Sequence, residues 1–194
     1  MGTTNAKVAW ADICLSKGEG GLGIPNIMEC NKAHVARHIW NLARKKDSLW
    51  VKWCHTYRLR GQSVWAYRVQ QDSSWAWNKI MKLRDCFYDC IKVKVGNGRD
   101  TNTWVDNWHD HGSLVKRCGT RLMYDATSNM RSKLCDFIQN GRWNFPQAVS
   151  NDLISVTRCL PSLSTGNDIV QWLPSGNNQF TVASAKEIIR IHTW

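Results

Sequence analysis

The chain has 194 residues, a net charge of +11, 43% hydrophobic residues and only four prolines. That length suits one good-sized domain or two small ones, and the hydrophobic share excludes a disordered tract, which needs low hydrophobicity joined to high charge. No apolar run approaches the roughly 18 residues of a membrane span, and the first residues lack the apolar stretch of a secretory signal, so the sequence reads as intracellular, nuclear or cytoplasmic.

The segment SKGEGGLGIPN (16–26) holds four glycines and a proline and is expected to be a loop. A first helix follows, with Asn26 as N-cap, Glu29 three residues on, and Val35, Ile39 and Leu42 recurring at helical spacing. A second helix is expected from Asp47 or Ser48, burying Leu49, Trp53 and Tyr57. A third starts after Ser73 or Ser74 and runs through Trp77, Ile80, Phe87 and Ile91. The period then becomes alternating. Lys92 to Val95 and Thr101 to Val105 read as the two strands of a hairpin, with Gly96, Asn97 and Gly98 supplying the positive φ angles of the turn. Two weaker helices are expected around Arg131 to Asn140 and Pro146 to Arg158. DIVQWLPSGNNQFTV (168–182) reads as a second hairpin, and a last helix is capped by a Ser184 and Glu187 box. The fold class that results is α+β, mainly helical, with amphipathic helices and two short β-hairpins.

Several clusters invite a chemical reading. VGNG (95–98) lacks both the immediate helix of a dinucleotide fingerprint and the Lys-Ser/Thr of a nucleotide-triphosphatase loop, so a hairpin is the better reading. DNWHDH (106–111) offers Asp106, His109, Asp110 and His111 as candidate ligands for a divalent ion in a nuclease, but no second acidic cluster stands out and a polar post-strand turn is the better reading. Cys30, His34 and His38 share one helical face at four-residue spacing, as do Cys86 and Cys90, but neither set has the paired knuckles of a structural zinc site. The eight cysteines are read as free thiols, and no metal site is assigned. No nucleophile elbow or cofactor fingerprint is present, so neither covalent catalysis nor a cofactor is expected.

Charge gives the strongest lead. Residues 1–100 carry 17 Lys and Arg against 8 Asp and Glu, and residues 101–194 carry 9 against 7. The basic half also interleaves cations with aromatics, as in WNLARKKDSLWVKWCHTYRLRG (40–61). Cations neutralise phosphates and exposed rings stack on unpaired bases, which points to RNA or DNA as partner. The candidate contacts are Lys32, Arg37, Arg44, Lys45, Lys46, Trp50, Lys52, Arg58, Arg60, Lys92, Lys94 and Arg99. A pair of amphipathic helices with a solvated basic side would share the composition.

Three blocks, WADICLSKGEGGLGIPNIMECNKAHVARHIWNL, VGNGRDTNTWVDNWHDHGSL and IVQWLPSGNNQFTVASAKEIIR, in this order and spacing resemble the region downstream of the polymerase in plant LINE-type, non-LTR retrotransposon reverse transcriptases. The resemblance runs from about Val8 to Trp194. It implies a thumb-and-connector region upstream of a zinc-binding segment, with template RNA or target DNA and the polymerase domain of a parent protein as partners. That family's paired catalytic aspartates lie before the glycine block. CFYDC (86–90) follows that block and has no second aspartate, so no catalytic residue carries over and the chain is not expected to be an enzyme on its own. Met1 is expected to open a frame cut from a longer polyprotein. The expected division is residues 1–115, a basic helical region ending in a hairpin, and 116–194, a smaller α+β region leading toward the zinc-binding segment. Alternative readings are a protein-interaction module and a decayed fragment without function.

Overall fold

The computed structural model describes residues 8–15, 17–146 and 150–191 of the chain. It is an α+β, mainly helical fold with two small antiparallel two-stranded sheets. In chain order come α1 (Trp10–Cys14), a 3-10 turn (Lys17–Glu19), α2 (Ile27–Ala43), and α3 (Leu49–Trp53), which runs straight into a π-helical turn (Cys54–Leu59). Next are α4 (Trp75–Leu83) with a 3-10 extension (Arg84–Phe87), β1 (Ile91–Lys94), α5 (Leu114–Cys118) and α6 (Arg121–Asp125). A 3-10 turn (Leu134–Phe137), β2 (Ile138–Gln139), β3 (Arg142–Trp143), α7 (Asn151–Arg158), β4 (Ile169–Trp172) and α8 (Val182–Ile191) complete it.

The caps explain most helix starts. Asn26 Oδ1 accepts from the Met28 N–H at 2.9 Å, Ser48 Oγ from Val51 and Ser74 Oγ from Trp77, so each satisfies an N–H that the first turn leaves orphaned. α8 differs from expectation. Thr181 Oγ1 accepts from the Ser184 N–H at 3.1 Å, so the cap lies three residues earlier, and Ser184 Oγ instead receives the buried indole N–H of Trp172 at 2.8 Å. The helix expected around 131–140 is a 3-10 turn followed by the β2–β3 hairpin. Within 146–158, residues 147–149 lie outside the described residues, as does Ser16 of the glycine loop, and α7 begins after a Ser150 cap.

The two strand pairs expected from adjacent sequence do not form. β1 pairs antiparallel with β4, Ile91 opposite Trp172 and Lys94 opposite Ile169, across more than seventy residues. Residues 101–105 are not a strand, because side chains take the backbone donors that a ladder would need. Asp106 Oδ2 accepts from the Asn102 N–H at 2.7 Å, and Asn102 Oδ1 accepts from Trp104 at 2.9 Å and Val105 at 3.1 Å. After β4 the chain likewise turns through 173–179 and enters α8, with a single return bond from Trp172 N–H to Asn178 O.

Two apolar clusters form the core. The first joins α2, α3, α4 and α8 around Trp40, Phe87 and Trp172. The second surrounds Trp104 and Trp108 with Leu114, Leu122, Leu134, Phe137, Leu153 and Val156. β1 belongs to both, since Ile91 lies in the first cluster and Val93 in the second, as does Val95 just after the strand. Among the described residues, no helix is long and apolar enough to cross a membrane.

Candidate nucleic-acid interface

α3 and its π-helical turn form the outer wall of the basic half. The buried residues are Val51, Cys54 and Leu59. The five-residue step from Cys54 to Leu59 suits a π turn, whose bonds run from i to i+5, and not the 3.6 period of an α-helix. The buried side is therefore not the one expected for the second helix. Leu49, Trp53 and Tyr57 share a face, but it is the outer one, with exposures of 88%, 47% and 63%. Trp50 is 38% exposed. The rings form a ledge: Trp53 and Tyr57 lie 5.9 Å apart, the Arg58 guanidinium sits 5.5 Å from the Trp53 centroid, and His38 of α2 meets Trp50 edge-on at 4.9 Å.

The twelve candidate contacts do not form one patch. Three lysines are held in ion pairs, Lys45 with Asp100 at 2.5 Å, Lys52 with Asp47 at 2.6 Å and Lys92 with Asp110 at 2.8 Å. Arg44 lies over Trp40 at 5.6 Å. Lys32 lines a groove of about 560 Å³ with Cys86, Cys90 and Ile189. Arg37, Lys46, Lys94 and Arg99 are exposed and make no ion pair among the described residues. Arg58 and Arg60 are brought together, in a cleft of about 710 Å³ that also contains Arg68 and Arg131. The sequence reading missed these last two because they stand apart from the aromatic-rich run, one in the loop before α4 and the other after α6. It also missed the outward face of Trp53 and Tyr57, which a strict helical period had assigned to the core.

The glycine loop does cradle an anion, and the anion is the chain's own. Asp168, at the entry to β4, accepts from the Gly96 and Gly98 N–H groups at 2.8 and 2.9 Å, from Asp100 N–H at 3.2 Å and from Thr101 Oγ1 at 2.7 Å. Successive inward N–H groups of this kind form a nest for negative charge. Gly98 has φ +69°, and a Cβ there would stand 2.6 Å from Cys135 N.

The residues of the nuclease alternative are already engaged. Asp106 accepts from Ser63 Oγ and Asn102 N–H, and burial pushes its carboxyl up. It borders a cavity of about 290 Å³ shared with Lys45, His55, Asp100 and Lys133, where burial and the nearby Lys45 lower the Lys133 ammonium. His109 is fully buried. Its Nε2 lies 3.2 Å from Val156 O and its Nδ1 accepts from His111 N–H at 3.1 Å, so both ring nitrogens have backbone partners and burial holds the ring neutral. Asp110 pairs with Lys92, and Arg117 Nη1 lies 2.8 Å from His111 Nδ1. On α2, Cys30 is partly buried, His34 is exposed and His38 packs on Trp50. Cys86 and Cys90 are partly buried free thiols, with burial, Asp89 and Cys86 pushing Cys90 up to about 11. Among the described residues, no three His, Cys, Asp or Glu side chains are grouped to hold a metal ion.

No family model matches the chain, and no solved structure matches it. It is similar to a protein of Arabidopsis thaliana provisionally named as a ribonuclease H protein, 28% identical over 196 residues, which is 95% of this chain and 31% of that protein. It is also similar to an uncharacterized mitochondrial protein of the same plant, 26% identical over 102 residues, covering 52% of this chain and 66% of that one. The chain thus spans less than a third of the first relative and about two thirds of the second.

Proposed function

We propose that this chain is a non-catalytic, nucleic-acid-associating region of a retroelement polyprotein, one that works beside a reverse transcriptase of the plant non-LTR type. The carrying observation is the ledge of Trp50, Trp53 and Tyr57, three aromatic rings left substantially exposed on the basic half, with Arg58 over Trp53 and Lys46 and Arg60 close by in sequence. Exposed rings of this size lose water only when something stacks on them, and every base has a face that can do so. The similarity to a much longer plant protein named for ribonuclease H, an activity that acts on nucleic acid, supports the reading.

Fluorescence anisotropy of a single-stranded RNA against the full chain, titrated with salt, tests it. Binding should weaken steeply as salt rises. Arg37→Gln combined with Lys46→Gln should flatten the slope of log affinity on log salt by about 1.4, because each phosphate neutralised on a single strand adds about 0.7 to it. Trp53→Ala should cost about 1–3 kcal/mol with the slope unchanged, because stacking releases no counterions. Binding that ignores both salt and the ring would overturn the reading. A second reading, a docking region for another part of such a polyprotein, is favoured by the exposed Trp10, Leu22, Ile27 and Met28 near the start of the described chain. Its partner would be held with little dependence on salt.

A further inference from the structure

We infer that the cleft walled by Arg58, Arg60, Arg68 and Arg131 is the phosphate-binding site for a single nucleic-acid strand, which would pass from the aromatic ledge across this cleft. The inference rests on the nucleic-acid reading above and adds a place and a ligand chemistry to it. The cleft holds four arginines against one carboxylate, Asp72, in about 710 Å³. It contains no lysine, although the chain's 26 cations divide evenly between lysine and arginine. Arginine presents a planar fork of donors that meets two phosphate oxygens at once, whereas lysine offers a point charge. A surface that is basic merely for solubility has no reason to select between them.

Two neighbouring segments, 57–62 and 66–72, meet a third, 130–131, that lies some sixty residues further along the chain, and each is held in place before any ligand arrives. Arg60 ends the π-helical turn at φ 50°. The loop bearing Arg68 is clamped from behind, where Arg84 Nη1 donates to Val64 O at 2.9 Å and also to Tyr67 O, and the Tyr67 ring meets Trp77 edge-on at 5.7 Å. The turn bearing Arg131 is fixed by Asn102 Nδ2 donating to Met130 O at 2.7 Å, and by the Arg131 N–H donating to Asn129 Oδ1 at 2.9 Å. Four like charges held together by the backbone repel one another, and a polyanion relieves that repulsion without the cost of ordering the walls. Tyr57 and Arg58 belong to the ledge and to the cleft at once, so a base stacked on the ledge would have its phosphates beside the arginines.

The experiment compares the unsubstituted full chain with Arg68→Gln/Arg131→Gln, with Arg68→Lys/Arg131→Lys and with an Arg121→Gln control on α6. The probes are a single-stranded oligonucleotide and inorganic pyrophosphate, each titrated against salt. The glutamine pair should flatten the oligonucleotide slope by about 1.4, which amounts to roughly a 25-fold loss at 0.1 M salt. The lysine pair should keep the slope, since the charge count is unchanged, and bind more weakly than the parent. The control should bind as the parent does. A glutamine pair with the parent's affinity and slope, while Trp53→Ala still weakens binding, would overturn the cleft and leave the nucleic-acid reading standing. Absence of salt-dependent binding by the parent chain would overturn both. Pyrophosphate bound as tightly as the oligonucleotide would overturn the claim of a strand, leaving a small-anion site.

Discussion

Asp168 illustrates how one side chain can organise a distant loop. Its carboxylate satisfies three backbone N–H groups and one hydroxyl of residues 96–101, and so ties β4 to the end of β1. Asp168→Ala should cost about 3 kcal/mol in urea denaturation, the scale for leaving several partly buried donors without a charged acceptor. Gly98→Ala should destabilise by more than about 1 kcal/mol, because both its positive φ and the 2.6 Å approach to Cys135 N exclude a Cβ. His109 sets a pH dependence. Burial lowers it from the ordinary 6.5, so the unfolded chain binds the proton more readily than the native one. Its contribution is complete above pH 6.5 and is lost as pH falls below that value. The urea midpoint should therefore drop between pH 7.5 and 5, and His109→Asn, though less stable at pH 7.5, should drop less steeply over the same range.

At the scale of elements, the informative case is α3 with its π-helical turn. Asn26 was legible as the cap of α2, and the caps of α3 and α4 were legible to within one residue, Ser48 out of Asp47 or Ser48 and Ser74 out of Ser73 or Ser74, because a short polar side chain before an apolar run can accept from the orphaned first-turn N–H groups. The buried face was not legible, because a helical period shows which residues share a face and not which face the rest of the chain covers, and only the wider turn brings Leu59 to the side of Val51 and Cys54. Leu59→Ala should cost about 2–5 kcal/mol and Leu49→Ala no more than about 0.5, although sequence period alone ranks Leu49 as core. Denaturant midpoints of the two variants check this, and equal losses would show that the outer face is covered. β1 makes a similar point. Its alternating pattern marks a strand, but pattern carries no information about partner, and the nearest apolar run after it folds into turns fastened by Asn102 and Asp106.

For the whole molecule, the division proposed near residue 115 has a direct test. The first core cluster draws on residues 33–91 and then on Trp172, Ala185 and Ile189. The second draws on residues 93–156. Separate chains 1–115 and 116–194 would each lose part of both cores, and β1 would lose β4. Neither fragment should show a cooperative thermal transition by circular dichroism, whereas an equimolar mixture should regain one if the halves still recognise each other. A sharp melt of 1–115 alone would establish it as an independent domain. The basic imbalance of the first half is likewise a property of composition that the fold redistributes, since Lys45, Lys52 and Lys92 are spent on ion pairs while Arg131, from the nearly neutral half, joins the cleft.

What the sequence determined by itself was local or additive: the starts of α2, α3 and α4, the mainly helical α+β class, the excess of positive charge and its pairing with aromatic rings. These follow from short-range hydrogen bonding and from composition, and neither needs knowledge of which segments meet. The tertiary structure alone decided that β1 joins β4, that the glycine loop closes on Asp168, that Trp53 and Tyr57 face outward, and that Arg58 and Arg60 stand beside Arg68 and Arg131. Each of these depends on contacts between segments distant along the chain, and a side chain's partners across such distances are set by how the cores pack.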